Sequence, residues 1–254
     1  MLLVIDIGNS NITLGVYDAD RLSVVARIAT DTHKTKDQYA VELLDILRLY
    51  HVSPEDLDGC AISSVVPVLG NALKKAISHI IGKPPLVVGP GVKTGLNIQI
   101  DNPAQLGADL VVGAVAAIEQ YPLPCIIFDL GTATTIAVID QNGNYLGGTI
   151  SAGVGISLEA LTSRTSQLPQ ISIEAPKNVI GSNTIDAMKS GLVLGCAAML
   201  DGLTARIEAQ LGATASLVAT GGLCPEVIRH CQRKIIFNDH LLLQGLKIVY
   251  EKNN

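Results

Sequence analysis

Apolar residues fill the opening positions of the chain, and the places where they give way are regular. Leu2-Leu3-Val4-Ile5-Asp6-Ile7 runs into the turn Gly8-Asn9-Ser10-Asn11, and a second apolar run, Ile12 to Tyr17, follows. Two β-type runs around so short a polar turn predict a hairpin. Arg21 to Ala29 reads as a further strand. From Asp37 to His51, Tyr39, Leu43, Leu47 and Tyr50 recur at near-helical spacing, which predicts an amphipathic helix. Next come a strand at 60–66 ending at Pro67, a helix at 69–81, a strand at 85–88 before Gly89-Pro90-Gly91, and a long helix from Gln105 to Gln120. The hairpin pattern then returns as Cys125-Ile126-Ile127-Phe128-Asp129-Leu130-Gly131-Thr132-Ala133-Thr134-Thr135-Ile136-Ala137-Val138-Ile139. A return strand at 144–150, helices at 156–161, 183–209 and 225–231, and a strand at 217–219 ending in Thr220-Gly221-Gly222 complete the second half. Strands followed by helices in both halves predict two α/β lobes, 1–120 and 121–254, with a cleft between them.

The repeated frame is Asp-x-Gly, then small hydroxyl or amide residues, with a strand on either side. A carboxylate near the end of a buried strand is costly unless it is paired or ligating. A polyanion accounts for the whole turn. Gly admits close backbone approach, Asn, Ser and Thr supply short donors, and the carboxylate holds a cation against phosphates. Either turn alone is equally well an ordinary structural hairpin. Their repetition in one frame favours a clamp for a nucleoside triphosphate.

Composition narrows the partners. With 254 residues, 48% hydrophobic and 16% charged, the chain has ample material for a buried core. A net charge of −5 and no run of Lys or Arg leave no electrostatic footprint for nucleic acid or an anionic membrane. Cys60, Cys125, Cys196, Cys224 and Cys231 form no Cys-x-x-Cys pair and read as reduced core thiols in a cytoplasmic protein. Met1 to Ile5 is too short for a signal peptide. Gly191 to Leu200, bounded by Lys189 and Asp201, has the length of a buried helix, so no membrane span is expected. Gly153-Val154-Gly155-Ile156-Ser157-Leu158 lacks the third Gly of a dinucleotide fingerprint. The five histidines show no metal-ligand spacing.

Five ordered stretches carry a resemblance: Asp6-Ile7-Gly8-Asn9-Ser10-Asn11; Gly89-Pro90-Gly91-Val92-Lys93-Thr94-Gly95-Leu96; Asn102-Pro103-Ala104-Gln105-Leu106-Gly107-Ala108-Asp109; Asp129-Leu130-Gly131-Thr132-Ala133-Thr134-Thr135; and Ile180-Gly181-Ser182-Asn183-Thr184. With the later Thr-Gly-Gly, the chain resembles the superfamily of acetate and sugar kinases, Hsp70 and actin. Within that superfamily it is similar along its length to type III pantothenate kinase. The resemblance implies an α/β fold of two ribonuclease H-like (actin-like) lobes with a nucleotide cleft. It further implies phosphorylation of pantothenate by ATP with Mg²⁺, in a homodimer using a monovalent cation such as K⁺ or NH₄⁺.

By that resemblance the segment Asp6, Ile7, Gly8, Asn9, Ser10, Asn11, Ile12, Thr13 wraps the ATP phosphates, with Asp6 placing Mg²⁺. Asp129 takes the monovalent cation and Thr132 contacts ATP. Gly221 and Gly222 either approach the adenosine or form a plain turn. Asp109 is the expected base for the pantothenate hydroxyl; the alternative is a polar residue on a helix capped by Asn102. Gly107, Ala108 and Thr184 line the acceptor, Thr184 doubling as a possible N-cap. Two positions depart from the family. Leu110 stands where its members carry an Arg, and Ile100 aligns with a substrate-contacting Tyr. Phosphoryl transfer is therefore the firmer expectation, with a kinase for another small hydroxyl compound and a non-catalytic nucleotide-binding regulator as alternatives.

Overall fold

The computed structural model describes residues 1–254. In chain order the elements are β1 (Leu2–Ile7), β2 (Asn11–Asp18), β3 (Arg21–Ala29), α1 (Lys36–Leu49), β4 (Gly59–Ser64), α2 (Pro67–Ile81), β5 (Leu86–Val87) and β6 (Asn97–Ile98). There follow α3 (Ala108–Gln120), β7 (Cys125–Leu130), β8 (Ala133–Ile139), β9 (Asn144–Ala152), α4 (Val154–Arg164) and α5 (Thr184–Lys189). The chain ends with α6 (Gly195–Leu211), β10 (Ser216–Thr220), α7 (Cys224–Ile228), β11 (Ile236–Phe237) and α8 (Leu241–Glu251). Two compact units result. One comprises Met1–Leu96, Asp101–Ala116 and Leu241–Asn254; the other comprises Asn97–Ile100 and Ala117–His240.

In the first unit the sheet order is β3-β2-β1-β4-β5, with β1 to β3 antiparallel and β4 and β5 parallel to β1. Strand alternation sorts its residues. Leu3, Ile5 and Ile7 of β1, Ile12 and Leu14 of β2 and Ile62 of β4 join Tyr39, Leu43 and Leu47 of α1 and Leu69, Leu73 and Ile77 of α2 in one apolar cluster. Each fully buried Leu or Ile there contributes about 1.5–3 kcal/mol of transfer free energy. Thr35 and Gln38 form a capping box on α1, and Pro67 opens α2, which stops at Gly82 in the left-handed region. The opposite face of the sheet carries α8, packed on β1 and β4.

In the second unit the order is β11-β10-β7-β8-β9-β6. Ile126, Phe128, Leu130, Ile136 and Leu217 form its cluster with Val154 and Leu158 of α4, Leu200 of α6 and Val227 of α7. Both units thus begin with an antiparallel meander and continue through a parallel strand.

Several elements differ from the pattern reading, and the short β6 and β11 are not assigned by it. The helix expected from Gln105 is broken: Pro103–Gln105 makes one 3₁₀ turn, Leu106 is extended, and α3 starts at Ala108. Asn102 makes no side-chain cap. The helix expected at 183–209 contains a π segment, Ser190–Leu194, between α5 and α6. The whole run Thr184–Leu211 is 28 residues, long and apolar enough by length and composition to cross a membrane, and only 28% of its apolar window is buried. Within it, the stretch that the sequence reading places in the interior, 191–200, has Leu192, Val193, Ala197 and Leu200 buried.

A further difference is α8, which the pattern reading leaves unassigned and which contains Gly245. Packing explains that glycine. A Cβ there would lie 1.9 Å from the Val112 carbonyl oxygen of α3, so the helices touch backbone to backbone. Gly245→Ala is therefore expected to lower unfolding free energy by about 1–3 kcal/mol, the scale of overpacking, despite Ala's better helix propensity. A denaturant midpoint equal to or above wild type would contradict this packing.

Candidate active site

The first hairpin is tight. Gly8 N donates to Asn11 O at 2.9 Å, leaving Asn9, Ser10 and Asn11 exposed at the tip. Thr30 braces it from the end of β3, donating through Oγ1 to Gly8 O at 2.7 Å and through its amide to Ser10 O at 3.0 Å. Ile7 and Ile12 are 0% exposed. Their side chains belong to the core, so only their backbone is available to a ligand. Asp6 pairs with Thr13 across the hairpin and with Ser63 across the parallel β1–β4 ladder, while Thr13 pairs with Arg27. Directly paired residues share a face. Arg27, Thr13, Asp6 and Ser63 therefore form one polar row, on the face turned away from α1 and α2.

Asp109 sits at the same end of this sheet. The Val65 amide, just past β4, donates to Ile7 O at 3.1 Å, and a Cβ on Gly107 would lie 3.7 Å from Val65. It would also lie 2.4 Å from Asp109 Oδ1, so with glycine at 107 the Asp109 carboxylate folds back over that backbone. Asp109 lies in the first turn of α3, where a negative charge is favoured, and accepts the Leu110 amide at 2.8 Å. Burial pushes its carboxyl above the usual range, opposed by backbone hydrogen bonds from Leu110 and from Asp109 itself. Ala108 and Leu110 flank it, both half-buried.

The second unit repeats the arrangement. Asp129 pairs with Thr135 across the hairpin and with Thr220 on parallel β10, matching Thr13 and Ser63 around Asp6. The copy is one residue shorter, since Thr13 follows Asp6 by seven positions and Thr135 follows Asp129 by six. Gly153 braces its turn: its amide donates to Thr132 O at 3.1 Å, and a Cβ would lie 2.3 Å from that same oxygen. Thr132 is exposed at the tip. The Cys224 thiol, in the first turn of α7, is pushed up to about 12, chiefly by burial and then by the Asp129 charge. Gly221 has φ +102° and no room for a Cβ, which would meet the Leu130 backbone at 2.6 Å. That glycine is required by the packing of β10 on β7; Gly222 beside it is exposed.

Thr184 is the exposed first residue of α5, and the cap is Asn183, whose Oδ1 accepts the Asp186 amide at 2.9 Å. The N-cap alternative for Thr184 is corrected. Ile100 lies in the second unit, its Cγ2 3.7 Å from where a Gly147 Cβ would stand. The structure thus groups Asp6 to Thr13 with Gly107 to Leu110 in one unit. It groups Asp129, Thr132, Gly221 and Gly222 in the other. Sequence reading missed Ser63, Arg27 and Gly153. Hairpin arithmetic from the turn at Ala19-Asp20 would have placed Ala26 opposite Thr13; a bulge at Val16/Tyr17 shifts the register and puts Arg27 there instead, and Ser63 needs the parallel register. No three His, Cys, Asp or Glu converge on a metal site.

The family model described as type III pantothenate kinase matches residues 2–206. A type III pantothenate kinase of Halalkalibacterium halodurans is 43% identical over 253 residues, covering 100% of both chains. Among solved structures, a Campylobacter jejuni protein assigned to the Baf family of transcriptional activators superposes with TM-score 0.65 at 20% identity, over 99% of this chain and 98% of that one. Component A of the (R)-2-hydroxyglutaryl-CoA dehydratase of Acidaminococcus fermentans gives 0.57 at 15% identity, over 98% and 96%. These structural likenesses concern the fold, which is α/β of the actin-like class. By the family match and the full-length identity, the chain belongs to the type III pantothenate kinase family.

Proposed function

We propose that the protein transfers the γ-phosphoryl group of ATP to pantothenate, giving 4′-phosphopantothenate and ADP, the first step of coenzyme A biosynthesis. The observation that carries this reading is Asp109: a carboxylate desolvated at a helix start, with no Lys or Arg contributing to its shift, at the sheet end that bears Asp6. A base needs a proton affinity above that of an ordinary carboxylate, and burial supplies it. Asp109 takes the proton of the primary hydroxyl as that oxygen bonds to the γ-phosphorus. The bond from phosphorus to the bridging oxygen breaks, and ADP departs with the electron pair.

Asp6 would hold the nucleotide's Mg²⁺, and Asp129 a monovalent K⁺ or NH₄⁺. Such cations neutralise charge on the phosphates. The hairpin tips at Asn9-Ser10-Asn11 and Thr132 are the donors we assign to phosphate oxygens, and Gly222 the residue nearest the adenosine. Gly107, Ala108, Thr184 and Ile100 are assigned to the acceptor. Leu110 and Ile100 leave the pantothenate carboxylate without the usual partners. Exposed Lys93 is our candidate replacement. Its backbone is fixed from both sides, its amide donating to Asn253 Oδ1 at 3.1 Å and its carbonyl accepting Asn253 Nδ2 at 2.8 Å.

A cytoplasmic homodimer completes the proposal. Ile150, Val179 and Ile180 are 76%, 73% and 88% exposed, and a second copy is the occupant we assign to these apolar side chains.

Asp109→Asn should retain ATP binding and lower kcat by roughly two to four orders of magnitude. The wild-type rate should fall with acidity at a pH above the ordinary carboxylate range, since the base works ionised and its pKa is raised. The sign for stability runs the other way. A carboxyl raised on folding contributes stability below its unfolded pKa and loses it as pH rises through the folded value, so Asp109→Asn should melt higher than wild type at neutral pH. Unchanged turnover would reduce Asp109 to a structural role.

Activity should rise with K⁺ or NH₄⁺ and respond poorly to Na⁺, and Asp129→Ala should abolish the difference; equal initial rates in all three salts would remove the cation from Asp129. Finally, Ile180→Asp should shift light-scattering mass from dimer towards monomer, and a wild-type protein that is monomeric at all concentrations would exclude the dimer.

A further inference from the structure

Ser63 is unexplained by the core around it. It is 0% exposed and its Oγ has no hydrogen-bond partner. Orphaned buried hydroxyls are rare in folded proteins. β4 is otherwise built for packing, as Gly59-Cys60-Ala61-Ile62 are all buried, and an alanine at 63 would occupy the same space without an unmet polar atom. The hydroxyl of the next residue, by contrast, is fully accounted for, because Ser64 Oγ accepts the Val66 amide at 3.2 Å and closes the turn into α2. Ser63 faces the other way.

Its row neighbour identifies its use. In the parallel ladder Ser63 stands directly beside Asp6, so the hydroxyl and the carboxylate project from one face of adjacent strands. The second unit repeats the pairing with Thr220 beside Asp129 on β10 and β7, and Thr220 is also buried, 4% exposed. The corresponding strands of the two units, β4 and β10, each place a buried hydroxyl in the same register position next to the carboxylate.

We infer that Ser63 is a positioning residue for Asp6: once a nucleotide is bound, the hydroxyl, which has no partner in this structure, turns to donate to one carboxylate oxygen and so directs the other towards the cation that the nucleotide carries. A hydroxyl in a dry strand has no competing water, so one bond suffices to fix the rotamer. Groups that orient a metal-binding side chain in this way are commonly worth 10–100-fold in metal affinity. The inference rests on the assignment of Asp6 to the nucleotide's Mg²⁺ and is independent of which acceptor is phosphorylated.

The test is equilibrium binding of a non-hydrolysable ATP analogue to the full chain by calorimetry, with Mg²⁺ and with EDTA, for wild type, Ser63→Ala and Ser63→Thr. Thermal melts serve as the folding control. Ser63→Ala should lose at least tenfold in affinity with Mg²⁺, be unchanged in EDTA, and melt no lower than wild type because an orphan polar atom has been removed. Ser63→Thr, which restores the hydroxyl in the form found at Thr220, should recover most of the loss. Ser63→Ala affinity within twofold of wild type in Mg²⁺, or an equal loss with and without the metal, overturns the inference while leaving the kinase reading intact. Wild-type affinity indifferent to Mg²⁺ overturns both.

Discussion

The pleat of a β-strand is the constraint on which this molecule depends. Asp6 lies between Ile5 and Ile7, and Asp129 between Phe128 and Leu130, and these four apolar neighbours are at most 1% exposed. Side chains alternate, so burying the flanking residues against α1 and α2 in one unit, and against the helices from α4 to α7 in the other, forces each carboxylate onto the opposite face. Burial of the hydrophobic cluster and presentation of the charge are one event. A shift of register by one residue would put Asp6 into the core and its neighbours into the site, at a cost no local adjustment could offset.

From this follow the companions of each carboxylate. The hairpin delivers a threonine, Thr13 or Thr135, and the parallel strand a hydroxyl, Ser63 or Thr220. The turns are held from outside, by Thr30 in one unit and Gly153 in the other. Their geometry is therefore set before any ligand arrives, the condition for economical recognition of a polyanion. Asp109 is built by a different device. A helix interrupted at Leu106, a glycine at 107 and a fresh helix start at Ala108 bring its carboxylate back over its own backbone.

Local pattern exposed much of this. The hairpins, the strand at Arg21–Ala29 and the amphipathic α1 were legible because their periodicities are strong and their turns short. The Asp-x-Gly frame marked both carboxylates for the same reason. What failed was non-local. The break before α3 falls at the extended Leu106, which no local signal marks, and α8 packs on α3 where Val112 leaves no space at Gly245. Ser63 looked like an ordinary strand residue because its significance arises only from the register with β1. The apolar residues at Leu110 and Ile100 were visible in the sequence, and the structure adds that they belong to different units.

The most direct test of the kinase assignment is to incubate the wild-type protein with ATP, Mg²⁺ and K⁺ against a panel of small hydroxyl-bearing acids and amides, and to identify products by mass spectrometry. The expected result is one phosphate transferred to the primary hydroxyl of pantothenate, with ADP formed in equal amount and only in its presence. ATP binding without phosphorylation of pantothenate, or preferential phosphorylation of another acceptor in the panel, would contradict it.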